Sequence, residues 1–364
     1  MRIIVGMAVA VLCVSSVGAD PASILVRGGA AAPKVGEEHV RLVSETLTID
    51  LYDSEAVVHA DLLFRNEGPA DECMMGFPQI NHQRAATAAE RNGYSPDLRD
   101  LEFVVDGDPF EVKLLPDASE TYGGQACYDY EFEKWYVTPV PFTEGQERRV
   151  EISYRHPKGV TGNGGPDWFL YYLETGSRWK GGSVERIDVI LNYGTVVERW
   201  CHHQTNYYTE GCTDDKEARR LTWTFEDYQG DPGTIRASWY PRELLVYVDG
   251  HAEPGATPAR MESIGPLLDV GSRGERLGYE LSGMPGTPDE CTVACGDDRL
   301  SITNGKLVAS LNGEPLALTR PPVGRNYAGA PAWTRWWVAG EDLKRAFGLE
   351  WDYNPETRKL VLKP

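Results

Sequence analysis

The feature that most constrains this chain is the alternation of apolar and polar side chains over short segments. In one of them the apolar positions fall on every second residue, at Ala56, Val58, Ala60, Leu62 and Phe64. An alternation with period two is typical of a β-strand with one buried face. Asn66-Glu67-Gly68 follows and predicts a turn. A chain built from such segments is expected to fold into sheets.

Similar segments recur and predict a mainly β fold. LEFVV and FEVKLL flank DGDP (106–109), which predicts a hairpin. Further strands are predicted for CYDYEFEKWYV (127–137), RRVEISYRH (148–156), WFLYYL (168–173), VERIDVIL (184–191), RLTWTF (220–225), TIRASWY (234–240) and LLVYV (244–248). Many short strands separated by turns are typical of β-sandwiches. Residues 37–250 are therefore predicted to form a β-sandwich body, either one large sandwich or two in series.

The rest of the chain departs from this pattern. Residues 251–298 are rich in Gly and Pro and show no sustained period, which predicts a connector. In residues 299–364, GEDLKRAFG predicts a short helix that ends at Gly348, with Leu343, Ala346 and Phe347 on one face. Strand-like segments lie on both sides of that helix. Residues 299–364 are therefore predicted to be a small α+β domain.

The beginning of the sequence has the layout of a secretory signal peptide. Arg2 precedes an apolar run from Ile3 to Val14, and small residues follow at Val17-Gly18-Ala19. This order predicts a cleavable signal peptide over residues 1–19. The apolar run is too short for a permanent membrane span, and none is predicted later. The protein is therefore expected to be secreted or held at the cell surface.

Export places the cysteines in an oxidising compartment, where disulfides form. The cysteines beyond the signal peptide are Cys73, Cys127, Cys201, Cys212, Cys291 and Cys295. Short loops cost less chain entropy to close, which favours Cys201–Cys212 and Cys291–Cys295 and leaves Cys73–Cys127. Sequence alone leaves other connectivities open.

The stretch WCHHQTNYYTEGCTDD (200–215) raises the question of a metal site. Adjacent histidines on a strand point to opposite faces, so His202 and His203 do not both reach one ion from a regular strand. Their spacing also differs from that of structural zinc sites. A disulfide-closed loop is favoured, and a metal site with one histidine and Asp214 is the alternative. No metal and no cofactor is predicted.

The charge of the chain limits its partners. The formal net charge is −19, and the acidic excess lies in residues 20–298, whereas residues 299–364 hold more basic than acidic residues. Nucleic acids bind basic surfaces, so no nucleic-acid partner is predicted.

The C-terminal motifs LNGEPLAL (311–318), RPPV (320–323), WTRWWVAGEDLKRAFGLEW (333–351) and DYNPETRKLVL (352–362) occur in a recognisable order. This region resembles the copper amine oxidase N-terminal-like stalk domain of bacterial exported proteins. The resemblance covers about 60 residues and implies a non-catalytic α+β module. The departure is at 336–339, where WWVA replaces the family's Val-Pro-Leu-Arg type of segment. The body, through LLFRNEGPA (62–70), MMGFPQ (74–79) and YYLETGSRWKGG (171–182), resembles an uncharacterised exported bacterial β-sandwich region.

Motifs for catalysis are missing from the sequence. Copper amine oxidases convert a tyrosine in an Asn-Tyr-Asp/Glu context, whereas Tyr193, Tyr207 and Tyr327 follow asparagines without an acidic residue after them. The sequence also lacks nucleophile-elbow, HExxH and Walker motifs. No catalytic residue is predicted. A hydrolase with an unidentified carboxylate pair remains an alternative, because acidic residues are abundant.

The predicted function is a non-enzymatic structural or adhesive role at the bacterial cell envelope. The first alternative is binding of a carbohydrate or cell-wall polymer, because an exposed aromatic ring can stack on a sugar. That binding surface would consist of aromatic and basic residues of the tail: Trp333, Trp336, Trp337, Arg320, Arg325 and Arg335. The expected partner is a cell-wall polymer, a glycan or another envelope protein.

Overall fold

The computed structural model describes most of the chain from residue 26 onward. The described ranges are 26–29, 32–34, 39–53, 55–81, 98–116, 125–126, 130–131, 134–160, 167–200, 211–231, 233–252, 259–270, 277–282, 290–326 and 334–363. The predicted signal peptide, the stretch 201–210, Cys127 and Trp333 lie outside these ranges.

The N-terminal unit consists of strands, with a short 3₁₀ segment at Glu174–Arg178. Its strands in chain order are β1 (Val26–Gly29), β2 (Ala32–Pro33), β3 (Val40–Leu51), β4 (Glu55–Asn66), β5 (Asp71–Asn81), β6 (Arg99–Val105), β7 (Asp108–Pro109), β8 (Lys113–Pro116), β9 (Gln125–Ala126), β10 (Tyr130–Glu131), β11 (Lys134–Phe142), β12 (Glu147–Pro157), β13 (Gly159–Val160), β14 (Asp167–Tyr172), β15 (Val184–Asn192), β16 (Val197–Trp200), β17 (Thr213–Asp215), β18 (Arg220–Tyr228) and β19 (Thr234–Pro241). The predicted mainly β fold is confirmed.

Two large sheets make up most of this unit, and β9 and β10 pair with each other as a separate two-stranded sheet. Sheet I has the order β16-β19-β14-β1-β5-β11-β8, with β13 paired to β14 and β2 paired to β5. Sheet II has the order β17-β18-β15-β3-β4-β12-β6-β7. Most neighbours are antiparallel, whereas β1 and β14 are parallel, as are β3 and β15. The predicted alternation along β4 is confirmed by its burial, since every second side chain from Ala56 to Phe64 is inaccessible to solvent.

The buried faces of the two sheets share one hydrophobic core. Phe77 of sheet I packs on Tyr154 of sheet II with ring centroids 4.9 Å apart, and Phe169 of sheet I meets His156 of sheet II at 5.4 Å. Buried residues from Val40 to Trp239 belong to the same cluster. The N-terminal unit therefore has a single core between two facing layers.

A second core lies in the C-terminal unit, which is assembled from three smaller sheets and a helix. Its strands are β20 (Leu245–Val248), β21 (His251–Ala252), β22 (Ala259–Glu262), β23 (Gly265–Asp269), β24 (Glu280–Ser282), β25 (Glu290–Cys295), β26 (Asp298–Thr303), β27 (Val308–Leu311), β28 (Glu314–Ala317), β29 (Val323–Asn326), β30 (Thr334–Ala339), β31 (Glu350–Asn354) and β32 (Lys359–Lys363). Sheet III is β21-β20-β32-β31, sheet IV is β22-β23-β30-β29, and sheet V is β24-β25-β26-β27-β28.

The helix α1 (Gly340–Phe347) confirms the prediction for GEDLKRAFG. Gly348 ends it in the left-handed conformation with φ of 76°, and its N–H donates to Lys344 O. Glycine adopts this conformation without the penalty of a Cβ atom. Leu343 and Ala346 face the second core. Among the described residues, no helix is long and apolar enough to cross a membrane.

The interpretation of residues 251–298 as a connector is wrong. This segment contributes β22 and β23 to sheet IV, and β24 and β25 to sheet V. Buried residues from Leu244 to Leu362 form one cluster, so the C-terminal core does not begin at residue 299. The strands were missed because they are short and β23 is buried on consecutive positions rather than alternate ones. The predicted α+β domain of residues 299–364 is thus only part of a larger unit.

The tip of the β3–β4 hairpin joins the two units. Asp53 makes two hydrogen bonds to the backbone of Met261 in the C-terminal unit: its N–H donates to Met261 O (3.1 Å), and its side-chain Oδ2 accepts from Met261 N–H (2.9 Å). The other carboxylate oxygen of Asp53 is paired with Arg358, whose side chain is 2% exposed. The ion pair is therefore almost fully removed from water.

Glu55, two residues further on, makes a second connection. Its Oε1 accepts hydrogen bonds from the backbone N–H and the hydroxyl of Ser263 at 3.0 and 2.7 Å. Its Oε2 accepts from Arg99 Nη2 at 2.5 Å. Buried charges are tolerated when hydrogen bonds and an opposite charge surround them, and both conditions hold at this boundary.

Candidate functional site

A pocket of about 430 Å³ lies at the edge of sheet I formed by β16, close to the boundary between the two units. The side chains that give it chemical character are Tyr193, Glu198, Trp200, Asp214, Lys216, Arg219 and Arg242. They include two aromatic rings, two carboxylates and three cations. This is the size range in which small ligands are held by proteins.

The turn between β15 and β16 brings the two aromatic rings together. Gly194 has φ of 46°, and Val196 N–H donates to Tyr193 O at 3.3 Å, so the chain reverses directly after β15. Val196 O then accepts from Arg242 N–H at 2.7 Å. As a result the Tyr193 and Trp200 rings lie edge to face, with centroids 5.1 Å apart and an interplanar angle of 83°.

The turn between β17 and β18 supplies two of the cations. Asp215 Oδ1 accepts from the N–H groups of Glu217 and Ala218 at 3.1 and 2.9 Å, which fixes the start of the turn. Arg219 ends it with φ of 52°, and Arg219 O accepts from Tyr193 N–H at 3.0 Å. Lys216 lies in the same turn, so the hairpin presents both cations beside the aromatic pair.

Asp214, one of the carboxylates of the pocket, is hydrogen-bonded to the Tyr193 ring hydroxyl. Tyr193 Oη donates to Asp214 Oδ1 at 3.1 Å. Burial and the neighbouring Asp214 raise the pKa of Tyr193 to about 12. The phenol therefore keeps its proton at neutral pH, and one carboxylate oxygen of Asp214 is occupied as an acceptor.

The C-terminal unit reaches the rim of the pocket through the β31–β32 turn. Glu356 Oε2 lies 3.6 Å from Arg219 Nη2, and Arg242 Nη1 donates to Glu356 O at 3.4 Å. Thr195 also hydrogen-bonds to Tyr353. The pocket is thus formed by the N-terminal unit, and the C-terminal unit holds two of its guanidinium groups from outside.

The tail residues predicted as a binding surface do not form one. Trp336 and Trp337 are each 2% exposed, and Arg320 is 6% exposed and ion-paired with Glu262. The strand that carries the tryptophans, β30, lies between β23 and β29, and its residues 336–339 are all buried. The prediction of an exposed platform is wrong for these three residues. Trp333 and the side chains of Arg325 and Arg335 lie outside the described part of the structure.

The predicted Cys291–Cys295 disulfide is also wrong. Both residues lie on β25, and neither is in a disulfide. Four residues of extended chain place their Cα atoms roughly 13 Å apart, whereas a disulfide requires less than about 7 Å. Burial raises the pKa of Cys291 to about 12, so this thiol is inert. The other two pairings stay predictions, because Cys127 and Cys201 lie outside the described ranges.

Asp214 is the residue of WCHHQTNYYTEGCTDD (200–215) that was considered as a metal ligand and that the structure describes. This residue lines the pocket and accepts from Tyr193. No group of three potential metal ligands occurs among the residues that the structure describes. His202 and His203 lie outside that part of the chain. The stretch therefore borders the pocket through Trp200 at its start and Asp214 near its end.

A separate polar cluster lies inside the N-terminal core. Glu45 is 1% exposed, and its Oε1 accepts from Tyr171 Oη at 2.9 Å. Within the described structure, Glu45 Oε2 and the nearby Tyr154 Oη have no hydrogen-bond partner. Loss of hydration raises the pKa of Glu45 to about 7, against a partial lowering by Tyr171. No cation is paired with this acid in the structure described.

The sequence signals in residues 200–215 differ from the residues that form the pocket. The cysteines and histidines of 200–215 drew attention to this part of the chain, but the pocket depends on Tyr193, Arg219 and Arg242, which come from three other places in the sequence. Only the pairing of β16 with β19 and of β17 with β18 brings them together. The sequence signal that points to the pocket is Trp200, at the end of the short edge strand β16.

Comparison with known proteins yields little. No family model and no curated protein matches this chain, so the resemblance to the stalk family remains a prediction. One solved structure with similarity is described as a "putative nutrient binding protein" from Legionella pneumophila. It is 16% identical, with a TM-score of 0.48, and the match covers 59% of this chain and 71% of that chain. At that level the similarity assigns neither fold nor function here.

Proposed function

We propose that this chain is an exported, non-enzymatic binding protein that holds a sugar residue of a glycan in the pocket beside Trp200. The observation that carries the proposal is the edge-to-face pair of Tyr193 and Trp200 within a pocket that charged side chains also line. The apolar face of a sugar ring stacks on an aromatic ring, and its hydroxyls need both donors and acceptors. The pocket offers each of these.

The size and position of the pocket support a glycan as the ligand. A cavity of about 430 Å³ accommodates one or two sugar rings, at the lower end of ligand pockets in general. It opens at the sheet edge formed by β16. The remaining units of a longer chain therefore extend over the surface. This accounts for the adhesive role predicted from sequence, with the contact surface in the N-terminal unit instead of the tail.

A hydrolase is the second candidate, because Glu198 lines the same pocket as Asp214. Glycosidases use a pair of carboxyl groups on either side of the scissile bond. One oxygen of Asp214 is already hydrogen-bonded to Tyr193, which favours binding over catalysis. Release of new reducing ends from a bound oligosaccharide would identify a hydrolase instead.

The test is calorimetric titration of the purified protein with a panel of cell-wall and plant oligosaccharides. Trp200→Ala is expected to weaken binding at least tenfold, about 1.4 kcal/mol. Tyr136→Ala is the matched control. It also removes a partly buried ring packed on the same core, but it lies five strands away in sheet I, roughly 24 Å. The control should bind within twofold of the unmodified protein.

Two results would contradict the proposal. One is the absence of binding to every oligosaccharide in the panel. The other is equal loss of affinity in the Trp200 and Tyr136 variants, which would point to a general loss of structure. Circular dichroism of both variants separates the second case from a specific effect.

A further inference from the structure

The cations of the pocket stand out in a chain with a formal net charge of −19. Lys216, Arg219 and Arg242 line it, against the carboxylates Glu198 and Asp214. Because the surface as a whole is acidic, a local excess of positive charge attracts an anion to this place and leaves the rest of the surface repulsive to it. This observation bears on which glycan the pocket accepts, and it rests on the proposed function.

Two exposed arginines elsewhere on the N-terminal unit are paired with acids at short range. Arg186 lies 2.6 Å from Asp188, and Arg149 lies 2.5 Å from Asp61. By contrast, neither Lys216 nor Arg242 has a carboxylate within 4.0 Å in the described part of the chain. Among the described residues, the Arg242 guanidinium donates to a backbone carbonyl, that of Glu356, at 3.4 Å. Two cations of the pocket are therefore available to a ligand.

The third cation is only loosely engaged. Arg219 lies 3.6 Å from Glu356, whose side chain is 78% exposed. Exposed ion pairs at such distances contribute little. On the acidic side, Asp214 already accepts a hydrogen bond from Tyr193. Glu198 is the other carboxylate of the pocket, so three cations face two carboxylates and the lining carries one excess positive charge.

We infer that the glycan carries an anionic group, a carboxylate or a sulfate ester, which Arg242 and Lys216 bind while the sugar ring stacks on Trp200. A guanidinium forms two parallel hydrogen bonds with a planar carboxylate, and it also binds a sulfate through its fork of N–H groups. Arg242 and Lys216 determine specificity, and Trp200 supplies the stacking surface. Glu356 competes with the ligand for Arg219 from the rim.

The experiment compares each acidic ligand with its own neutral form. Tetragalacturonate is titrated beside its fully methyl-esterified form, and a sulfated oligosaccharide beside its desulfated form, at 20 and 300 mM NaCl. The acidic form is expected to bind at least tenfold more tightly at low salt. Its advantage should shrink at high salt, because the Debye length falls from roughly 20 Å to about 6 Å.

Substitutions assign the effect to residues. Arg242→Gln is expected to remove most of the acidic ligand's advantage, tenfold or more, so that the variant binds the acidic and the neutral form with affinities within about twofold of each other. Glu356→Gln should strengthen binding of the acidic form two- to threefold, because it removes a competing carboxylate. Arg186→Gln is the control, since it removes the same charge from an exposed ion pair outside the pocket and should change neither affinity.

The outcomes separate this inference from the proposed function. Equal affinity for acidic and neutral forms, with loss in Trp200→Ala, would overturn the inference and leave the glycan pocket in place. An equal effect of Arg242→Gln and Arg186→Gln would also overturn it, because the preference would then be a property of overall charge. Failure of every form to bind would contradict both. Preference for only the uronate or only the sulfated pair supports the inference and identifies the anion.

Discussion

Two sets of charges lie at the boundary between the units, and they differ in exposure. Asp53 and Arg358 form an ion pair that is almost fully buried. Arg219 and Glu356, on the adjacent rim of the pocket, lie 3.6 Å apart, with side chains 36% and 78% exposed. The buried pair cannot be solvated if it separates, so it holds the units in one arrangement. The exposed pair separates at little cost, so its members remain available to a ligand.

The largest effect is expected when one member of the buried ion pair is removed. Asp53→Ala leaves Arg358 buried without its counter-ion and removes the hydrogen bond that Asp53 Oδ2 accepts from the Met261 N–H. We expect the free energy of unfolding to fall by about 3 to 5 kcal/mol, measured by urea denaturation. Glu147→Ala breaks an exposed ion pair with Arg65 and serves as the control, with a change below about 1 kcal/mol. Similar losses in both variants would show that burial at the boundary is unimportant.

Glu45 differs from both ion pairs because it is a buried acid for which the described structure shows no paired cation. Its pKa is raised from 4.5 to about 7, so the folded state binds a proton more tightly than the unfolded state does. This contribution to stability is complete below pH 4.5 and is lost as the pH rises through 7. The loss amounts to about 3 kcal/mol. We expect Glu45→Gln to remove this component of the pH dependence between pH 4.5 and 8.

The measurement for Glu45 is a series of urea unfolding curves across that pH range. The unmodified protein and the Glu45→Gln variant should differ in slope, with the variant gaining stability relative to the unmodified protein as the pH rises. Parallel curves would mean that Glu45 is ionised and solvated in the folded protein. Tyr171→Phe removes the hydrogen bond that lowers the pKa of Glu45, so the pKa of Glu45 should rise further and the loss of stability should occur at higher pH.

The smallest effect is expected at the exposed pair. Arg219→Gln should change the free energy of unfolding by less than about 0.5 kcal/mol, because the partners are solvated in both states. The same urea measurement checks this. A change above roughly 2 kcal/mol would place Arg219 among the residues that hold the units together, and the distinction between the two sets of charges would fail.

Sequence patterns predicted the elements whose pattern is local. The alternation from Ala56 to Phe64 gave β4 correctly, and GEDLKRAFG gave α1 with its end at Gly348. Both signals arise within about ten residues, from side-chain periodicity and from the conformation that glycine allows.

The errors arose where tertiary neighbours decide burial. Trp336 and Trp337 lie on an interior strand covered on both faces, so adjacent residues are buried together. The segment 251–298 lacks a period because its strands are short and enclosed, as in β23. The pocket was beyond local reasoning as well, since Tyr193 and Arg242 are brought together by strand pairings that join distant parts of the chain.

The parallel pairing of β20 with β32 has a consequence for how the protein is made. Leu245 to Val248 lie beside Lys359 to Leu362 in register, so sheet III joins residues more than a hundred positions apart. Such a pairing cannot form until residues 359–363 have been synthesised. Contacts of long sequence separation also slow folding. Sheet III is therefore completed only by the last residues of the described chain, and until then β20 lacks one of its two neighbours.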